Sequence, residues 1–432
     1  MSNFGRIIIG AFAGCFFTLS VHPQSALILR AHAIIDTLTS SGMHGRGYVD
    51  SGEWKAAQYI STQYRELSLL EFNKDYFQKF SLDANTFPGT ASVTINHQKL
   101  FPARDFLIDP VSSGTYGKYK TLAIKNNSAD TSDAVVKRLI LNLKHKRLKN
   151  RVVTFQKEDF TSDQFISLKK NLVGANCLGA RGCIEFSNEK LTWDASQKVL
   201  PFFYLQVKEN QPEQTKVCVK ANFENKFLND YPTQNVIAYV KGTYYSDSFL
   251  VFTAHYDHLG EMGHGTYFPG ANDNASGIAM LLCLANYFSI QPPRYSVVFM
   301  AFSGEESGLV GSHFYVNHPL FPLSKIKFLI NLDIVGTGGE GIKVVNATLF
   351  EDQFNKLVSL NDSLQFLKVI SPRGKAANSD QYFFSEAGVP SFFIYTMGGI
   401  SAYHDINDRP ETLPLTKFEE LYNLLIVFAG SF

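Results

Sequence analysis

Charge of one sign is what this sequence lacks most plainly: 40 Lys and Arg stand against 39 Asp and Glu, a formal charge of +1. No global field therefore draws the chain to nucleic acid or to an anionic membrane surface. Cysteine is scarce too, five in 432 residues, which excludes a disulfide framework. Neither HExxH nor GxSxG occurs, so the one-zinc helix motif and the nucleophile elbow of serine hydrolases have no support. There is no internal repeat and no low-complexity linker. What is present is globular composition, 45% hydrophobic against 18% charged, with 37 Phe and 20 Tyr for an aromatic core. The length suits a large domain carrying an insertion better than one small domain.

At the N-terminus Arg6 precedes an apolar run from Ile7 to Val21, too short for a comfortable membrane span. Small residues near Ser20 suit a signal peptidase, so residues 1–25 are expected to be an export signal. The mature chain would then be periplasmic or extracellular, without a stable membrane span. Lipid attachment at Cys15, in "FAGC", is the rival expectation; the apolar residues after Cys15 speak against it. Of the other cysteines, Cys177 and Cys183 flank the turn-like "LGARG" and could pair in an oxidising compartment, whereas Cys283 reads as a small core residue.

Residues 26–74 read as helices. Ala26 to Leu38 forms the first, and the second follows the Gly-rich "GMHGRGYVDSG". Asp50 and Glu53 stand in capping-box spacing, and Trp54, Ala57, Ile60, Tyr64 and Leu67 make a core-facing stripe. Residues 75–230 change character: "ASVTIN", "RVVTFQK", "GCIEFS" and "LPFFYLQV" alternate with polar turns, as in a small β-rich inserted module. Its basic stretch "KRLILNLKHKRLKNR" is read as a solvated face. From residue 231 to 432 the rhythm is strand, loop, helix. "NVIAYVKG", "SFLVFTAH", "YSVVFMAF", "KFLINLDIVG", "IKVVNA" and "PSFFIYT" alternate with helical "NASGIAMLLCLANYFS" and "LFEDQFNKLVSLND". Continuous apolar strands imply a sheet covered on both faces. The expected fold is α/β, with a largely parallel twisted sheet flanked by helices.

Ligand groups in such folds gather at the C-terminal ends of strands. "SFLVFTAH" delivers His255 and Asp257; the loop "PGANDNASG" presents Asp273; "YSVVFMAFSGEESG" delivers Glu305 and Glu306; "KFLINLDIVG" delivers Asp333; and the loop after "PSFFIYT" delivers His404. Each alone has a bland reading as a core histidine, a helix cap or a charged turn. Together, carboxylates converging in one sheet would suffer repulsion and desolvation without cations. Carboxylate and imidazole donors without paired thiolates suit Zn2+ or Mn2+. Two His and three carboxylates exceed a three-ligand single-zinc site and match two ions sharing a carboxylate and a water, roughly 3.5–4 Å apart.

These segments resemble the co-catalytic di-zinc aminopeptidases typified by secreted bacterial leucyl aminopeptidases, in order and with family-like spacing over residues 235 to 430. "GRGYVDSGEWKAAQYI" is similar to their N-terminal helical signature, and residues 75–230 are similar in position to the protease-associated insert of some members. The resemblance implies an exported exopeptidase that removes N-terminal residues from peptides bearing a free N-terminus. It implies two Zn2+ per chain, with Mn2+ or Co2+ as substitutes. Asp273 would bridge, His255 and Asp333 would hold one ion, and Glu306 and His404 the other. Glu305 would be the general base for a metal-bridging hydroxide, and Asp257 would accept the other ring N–H of His255. One departure is "NSDQYFF", with Gln381 where the family often has histidine, which bears on pocket shape and not on the ligands.

Two alternatives stay open on the sequence: a single-zinc glutaminyl cyclase on a related fold, and a non-catalytic binding ectodomain. Carboxypeptidase and dipeptidase action also remain open. His258, His264, His313 and His318 are not expected to be ligands, and Tyr403 is read as packing or as an oxyanion donor. "GTGGEG" meets a GxGxxG pattern but runs into a strand and not a helix, so no phosphate cradle is expected.

Overall fold

The computed structural model describes residues 25–432 apart from 145, 147, 177, 211 and 213–216. The expected export signal, except for its last residue, and half of the Cys177–Cys183 pair lie outside the described residues.

Two eight-stranded sheets organise the described residues. The first runs in the order Phe77–Thr86, Lys226–Val240, Tyr295–Phe302, Tyr245–His255, Ile326–Leu332, Ser391–Met397, Gly341–Val345, Ile370–Arg373. Its four middle strands, from Tyr295–Phe302 to Ser391–Met397, are parallel neighbours; antiparallel strands flank them on both sides, and the edge strand Ile370–Arg373 pairs parallel with Gly341–Val345. The apolar runs are continuous because alternate side chains enter two different cores. Leu250, Phe252 and Ala254 join Val297, Phe299 and Ala301 on one face, while Phe249 and Val251 join Val298, Met300 and Phe302 on the other. Helix Ser276–Ile290 lies on the first face and is apolar all round. It is sandwiched between the sheet and the helices Ala26–Thr39 and Phe418–Gly430. The opposite face is covered by Tyr315 and Phe384 of the short helices Val310–Asn317 and Gln381–Glu386.

The second sheet runs Gln98–Leu100, Ala91–Ile95, Cys218–Phe223, Thr115–Ile124, Arg151–Gln156, Gly182–Phe186, Phe203–Val207, Phe106–Ile108. Helices Asp133–Leu143 and Ser162–Lys169 cover one face through Val136, Ile140 and Leu168. The other face meets the first unit: Phe186, Phe203 and Trp193 pack with Leu259, Met262 and Phe268. Two strands expected inside the insert, Phe77–Thr86 and the start of Lys226–Val240, pair with each other in the first sheet. They are the two stalks on which the second sheet is mounted. Phe77–Thr86 alternates buried and exposed positions over its first half, as Cys218–Phe223 of the second sheet does, so the pattern does not mark the boundary.

The helix Gly52–Glu66 forms, but without the expected capping box. Asp50 has φ +48° and Ser51, at the N-cap, φ +56° with no side-chain cap bond. Glu53 turns inward and accepts from Thr233, Gln234 and Tyr256, which tie this helix to the sheet. Trp54 is 39% exposed, so the buried stripe is Ala56, Ala57, Ile60 and Tyr64. Among the described residues no helix is long and apolar enough to cross a membrane.

Candidate metal centre

The strand Tyr245–His255 ends at His255, which is buried, and the next strand in the sheet, Tyr295–Phe302, ends three residues before Glu305. Asp333 follows Ile326–Leu332 directly. Asp273 sits in the tight turn Ala271–Ala275 that opens the buried helix Ser276–Ile290. His404 is carried by the loop after Ser391–Met397, in a left-handed conformation of φ +52° that is uncommon for a non-glycine residue. The parallel register thus aligns the strand ends, and all five expected donors meet at one place.

Their geometry is specific. His255 Nε2 stands 3.3 Å from Asp273 Oδ1 and 3.3 Å from Asp333 Oδ1. His404 Nε2 stands 3.1 Å from Asp273 Oδ2 and 3.2 Å from Glu306 Oε2. Asp273 therefore offers one oxygen to each imidazole. The far ring nitrogens are committed elsewhere: His255 Nδ1 is 3.1 Å from the Asp257 carbonyl, and His404 Nδ1 is 2.8 Å from the Trp193 carbonyl. A carbonyl can only accept, so Nδ1 carries the proton and a neutral ring presents its Nε2 lone pair to two carboxylate oxygens. That arrangement is repulsive unless a positive charge lies between.

The ion-free cluster responds by holding protons. Burial opposes charge on His255 and His404, but Glu305 and Asp333 at the first and Glu306 at the second hold both imidazoles well above their ordinary value. Burial likewise opposes ionisation of Asp273 and Glu306. The two imidazoles keep Asp273 well below the usual carboxylate range, and His404 with His258 brings Glu306 to about 2. Glu305 is pushed well up by burial, with Glu306 and Asp333 adding repulsion. A metal would displace these protons, and the donor set of imidazole and carboxylate fits zinc. One donor atom each of His255, Asp273 and Glu306 lies within 4.8 Å of the others, and so does one each of His255, Glu305 and Asp333. Glu305 thus stands beside the His255–Asp333 pair without being needed by the second pair.

The supporting contacts correct one expectation. The side chain of Asp257 does not take the His255 N–H, its nearest oxygen being 3.8 Å away; its backbone carbonyl does. Its carboxylate instead accepts the backbone N–H groups of Glu305 at 3.1 Å and Glu306 at 3.4 Å, pinning that turn. Burial raises Asp257 to about 7.

Other supports carried no local signal in the sequence. Asp408 accepts the N–H groups of Asn272 and Asp273 at 2.8 and 3.0 Å and so holds the loop of the shared carboxylate. Arg46, fully buried, donates to the carbonyls of Tyr256, Leu38, Pro269, Gly270 and Asp273. Burial lowers it only to about 10, so it stays charged. Gly270 (φ +59°) is required here, because a Cβ would lie 2.2 Å from the Asp273 carbonyl. Ser379 donates to Asp333 Oδ2 at 2.8 Å and is itself held by Asn331, which Thr253 of the adjacent strand fixes. Ser379 belongs to the "SDQ" triplet, whose Gln381 is buried and bonds the Ala376 carbonyl. Gln381 does not line the site cavity; Ala377 and Asn378 do.

That cavity, about 450 Å³, is also walled by Leu309, Ile334, Phe393, Tyr395, Tyr403 and Asp194. Tyr403 stacks on the His404 ring, centroids 4.0 Å apart, while also lining the cavity. His264 is exposed and is not among the lining residues. Asp194 comes from the second unit. Its segment reaches over the site: the Trp193 N–H donates to the His404 carbonyl at 2.9 Å, completing a reciprocal pair, and Asp194 Oδ1 is 3.2 Å from His404 Nδ1. Lys190 bonds the carbonyls of Ser401 and Tyr403 and pairs with Asp405 at 2.6 Å, and Gln197 donates to the Ser307 carbonyl. Trp193 is anchored in turn by its indole N–H on the Ile108 carbonyl and by stacking on Phe268.

Known proteins resemble this chain in sequence and in fold. The aminopeptidase YwaD of Bacillus subtilis is 28% identical over 227 residues, which cover 50% of this chain and 48% of that protein. The chain spans about half the length of that relative and less of the next ones. A zinc aminopeptidase structure from Bacillus subtilis shares the fold with a TM-score of 0.67 at 21% identity, covering 93% of this chain and 94% of that one. A peptidase M28 precursor from Shewanella amazonensis does so with 0.66 at 16% identity, covering 93% and 91%. The family description that matches is peptidase family M28, over residues 235–429. That segment, which holds His255, Asp273, Glu305, Glu306, Asp333 and His404, is what this chain shares with the description of peptidase family M28.

Proposed function

We propose that the chain is a zinc-dependent exopeptidase, an aminopeptidase that hydrolyses N-terminal residues from peptides. One observation carries this reading: two imidazoles each aim Nε2 at two carboxylate oxygens, with Asp273 supplying one oxygen to each. It supports two ions, His255 and Asp333 holding one, His404 and Glu306 the other, and Asp273 both. Bound there, zinc would acidify a shared water and polarise the scissile carbonyl. Manganese or cobalt would fit the same donors. The Glu305 carboxylate, enclosed beside the His255–Asp333 pair, would accept the proton of the attacking water and pass it to the leaving nitrogen. The Asp257 carboxylate keeps Glu305 and Glu306 in register through their backbone N–H groups.

The walls speak for the amino end of the substrate. Besides the five donors, the charged residues lining the cavity are Asp194 and Glu305, and neither lysine nor arginine is among them. A C-terminal carboxylate would meet no lysine or arginine in this wall, whereas an ammonium group would meet the carboxylate of Asp194. Two imidazoles on a shared carboxylate favour two ions over the single zinc of a cyclase. The test is metal analysis of the purified protein with a panel of free-amine peptides, N-blocked peptides and peptides beginning with glutamine. About two zinc ions per chain and cleavage confined to free-amine peptides are expected. Ammonia release from N-terminal glutamine with one zinc would establish the cyclase reading instead.

We further propose export, on the strength of the apolar run from Ile7 to Val21, with lipidation at Cys15 as the alternative outcome. Fractionation of the native host and the mass of the mature N-terminus decide it. A full-length chain in the cytosol would refute export.

A further inference from the structure

A third histidine, His258, stands against His404 and has no part in the steps above. His258 is fully enclosed, its Nδ1 is 2.6 Å from Glu306 Oε1, and its ring lies 5.8 Å from that of His404 at 74°. One tautomer alone has an acceptor for its proton: Nδ1–H donates to Glu306, while Nε2 is buried with no hydrogen-bond partner among the described residues. The ring cannot swing away. Behind it lies Gly270, where a Cβ would come within 2.4 Å of His258 Cδ2 and 2.7 Å of Arg46 Nη2. Arg46 itself is immobilised by five carbonyls.

We infer that His258 is a positioning residue that makes Glu306 a one-oxygen ligand. By occupying Oε1 it leaves Oε2, the oxygen 3.2 Å from His404 Nε2, as the one presented to the ion shared with His404. A carboxylate ligand is free to rotate about its terminal bond, and a fixed hydrogen bond on the unused oxygen removes that freedom. His258 is not a ligand itself. Its Nδ1 is spent on Glu306, and no carboxylate oxygen lies within 4.0 Å of its Nε2 among the described residues. The arrangement differs from that of the other pair, where the outer oxygen of Asp333 is held by Ser379, a hydroxyl, and not by an imidazole. The two halves of the centre are thus held by different donors, and this inference rests on the two-ion reading.

The test uses the full chain and three variants, His258→Asn, His258→Gln and His258→Leu. Asparagine places its amide nitrogen where Nδ1 was; glutamine, closer in size to histidine, places it where Nε2 was. Zinc affinity is measured by chelator competition, ion by ion, alongside kcat and KM. Leucine and glutamine are expected to weaken one of the two ions by about 10- to 100-fold and leave the other unchanged, with asparagine restoring most of the loss. The inference is overturned if leucine leaves both affinities at the wild-type value, or if glutamine restores them and asparagine does not, which is the mark of packing alone. Should the leucine variant fail to fold, the asparagine and glutamine pair decides in the same way. Wild-type protein that binds only one zinc would overturn the two-ion reading first, and this inference with it.

Discussion

The two sheets have equal numbers of strands, and each is buried on both faces, yet chemistry gathers on only one. In the first, the C-terminal ends of parallel strands open onto His255 and Asp333, both buried, and Glu305 and Glu306, half-buried, each needing a partner. In the second, the parallel strands Arg151–Gln156, Gly182–Phe186 and Phe203–Val207 enclose one notable acid, Glu185, and neutralise it locally against the Tyr204 hydroxyl. Glu185 is pushed up by burial and satisfied by that phenol, so it asks for no ion. The difference teaches that a sheet of this kind offers positions and not function. Function begins where buried donors exceed what the protein itself can satisfy.

Substitutions can break or sharpen that contrast. The largest effect is expected from Asp273→Ala, which removes an oxygen from each imidazole: zinc per chain, measured by elemental analysis, should fall, and turnover should drop to background. Unchanged zinc content would refute the shared carboxylate. Next, Glu305→Gln should keep the metal and lose about 10²–10⁴-fold in kcat, and a wild-type rate would remove Glu305 from the base role. A smaller change is expected from Lys190→Ala, which frees the loop at Ser401, Tyr403 and Asp405. Steady-state kinetics should show about a tenfold loss or less of kcat/KM, with little change in melting temperature. The smallest functional effect belongs to the second sheet. Tyr204→Phe should leave kcat alone but strip Glu185 of its donor, at a cost of about 1–3 kcal/mol seen as a lower melting temperature. Loss of activity without loss of stability would erase the distinction between the sheets.

What was legible in the sequence follows from how local each signal is. The strands of the first sheet announce themselves because they are apolar on both faces, and a charged or imidazole group straight after such a run stands out. His255, Asp273, Glu305, Glu306, Asp333 and His404, which the fold brings together, stand out in that way. Residues that act across long separations left no trace. Arg46 reaches carbonyls more than 200 positions away, Trp193 meets His404 across 211, and Asp408 holds Asp273 from 135. The misjudged cap has the same origin: Glu53 stands at capping distance in sequence, but donors on the strand Lys226–Val240 and from Tyr256 outbid the helix end. The expected contact of the Asp257 carboxylate with His255 is made by its backbone carbonyl instead, a distinction between two groups of one residue that only coordinates draw.

The reciprocal bonds between Trp193 and His404 bear on how this architecture can be re-engineered. A truncated chain in which residues 87–225 were replaced by a short turn between the two stalk strands would retain the first sheet's pairing. It would forfeit the acceptor that dictates the His404 tautomer. Any graft from another relative would have to bring a carbonyl to that same point, so the two units are exchangeable only as a matched set.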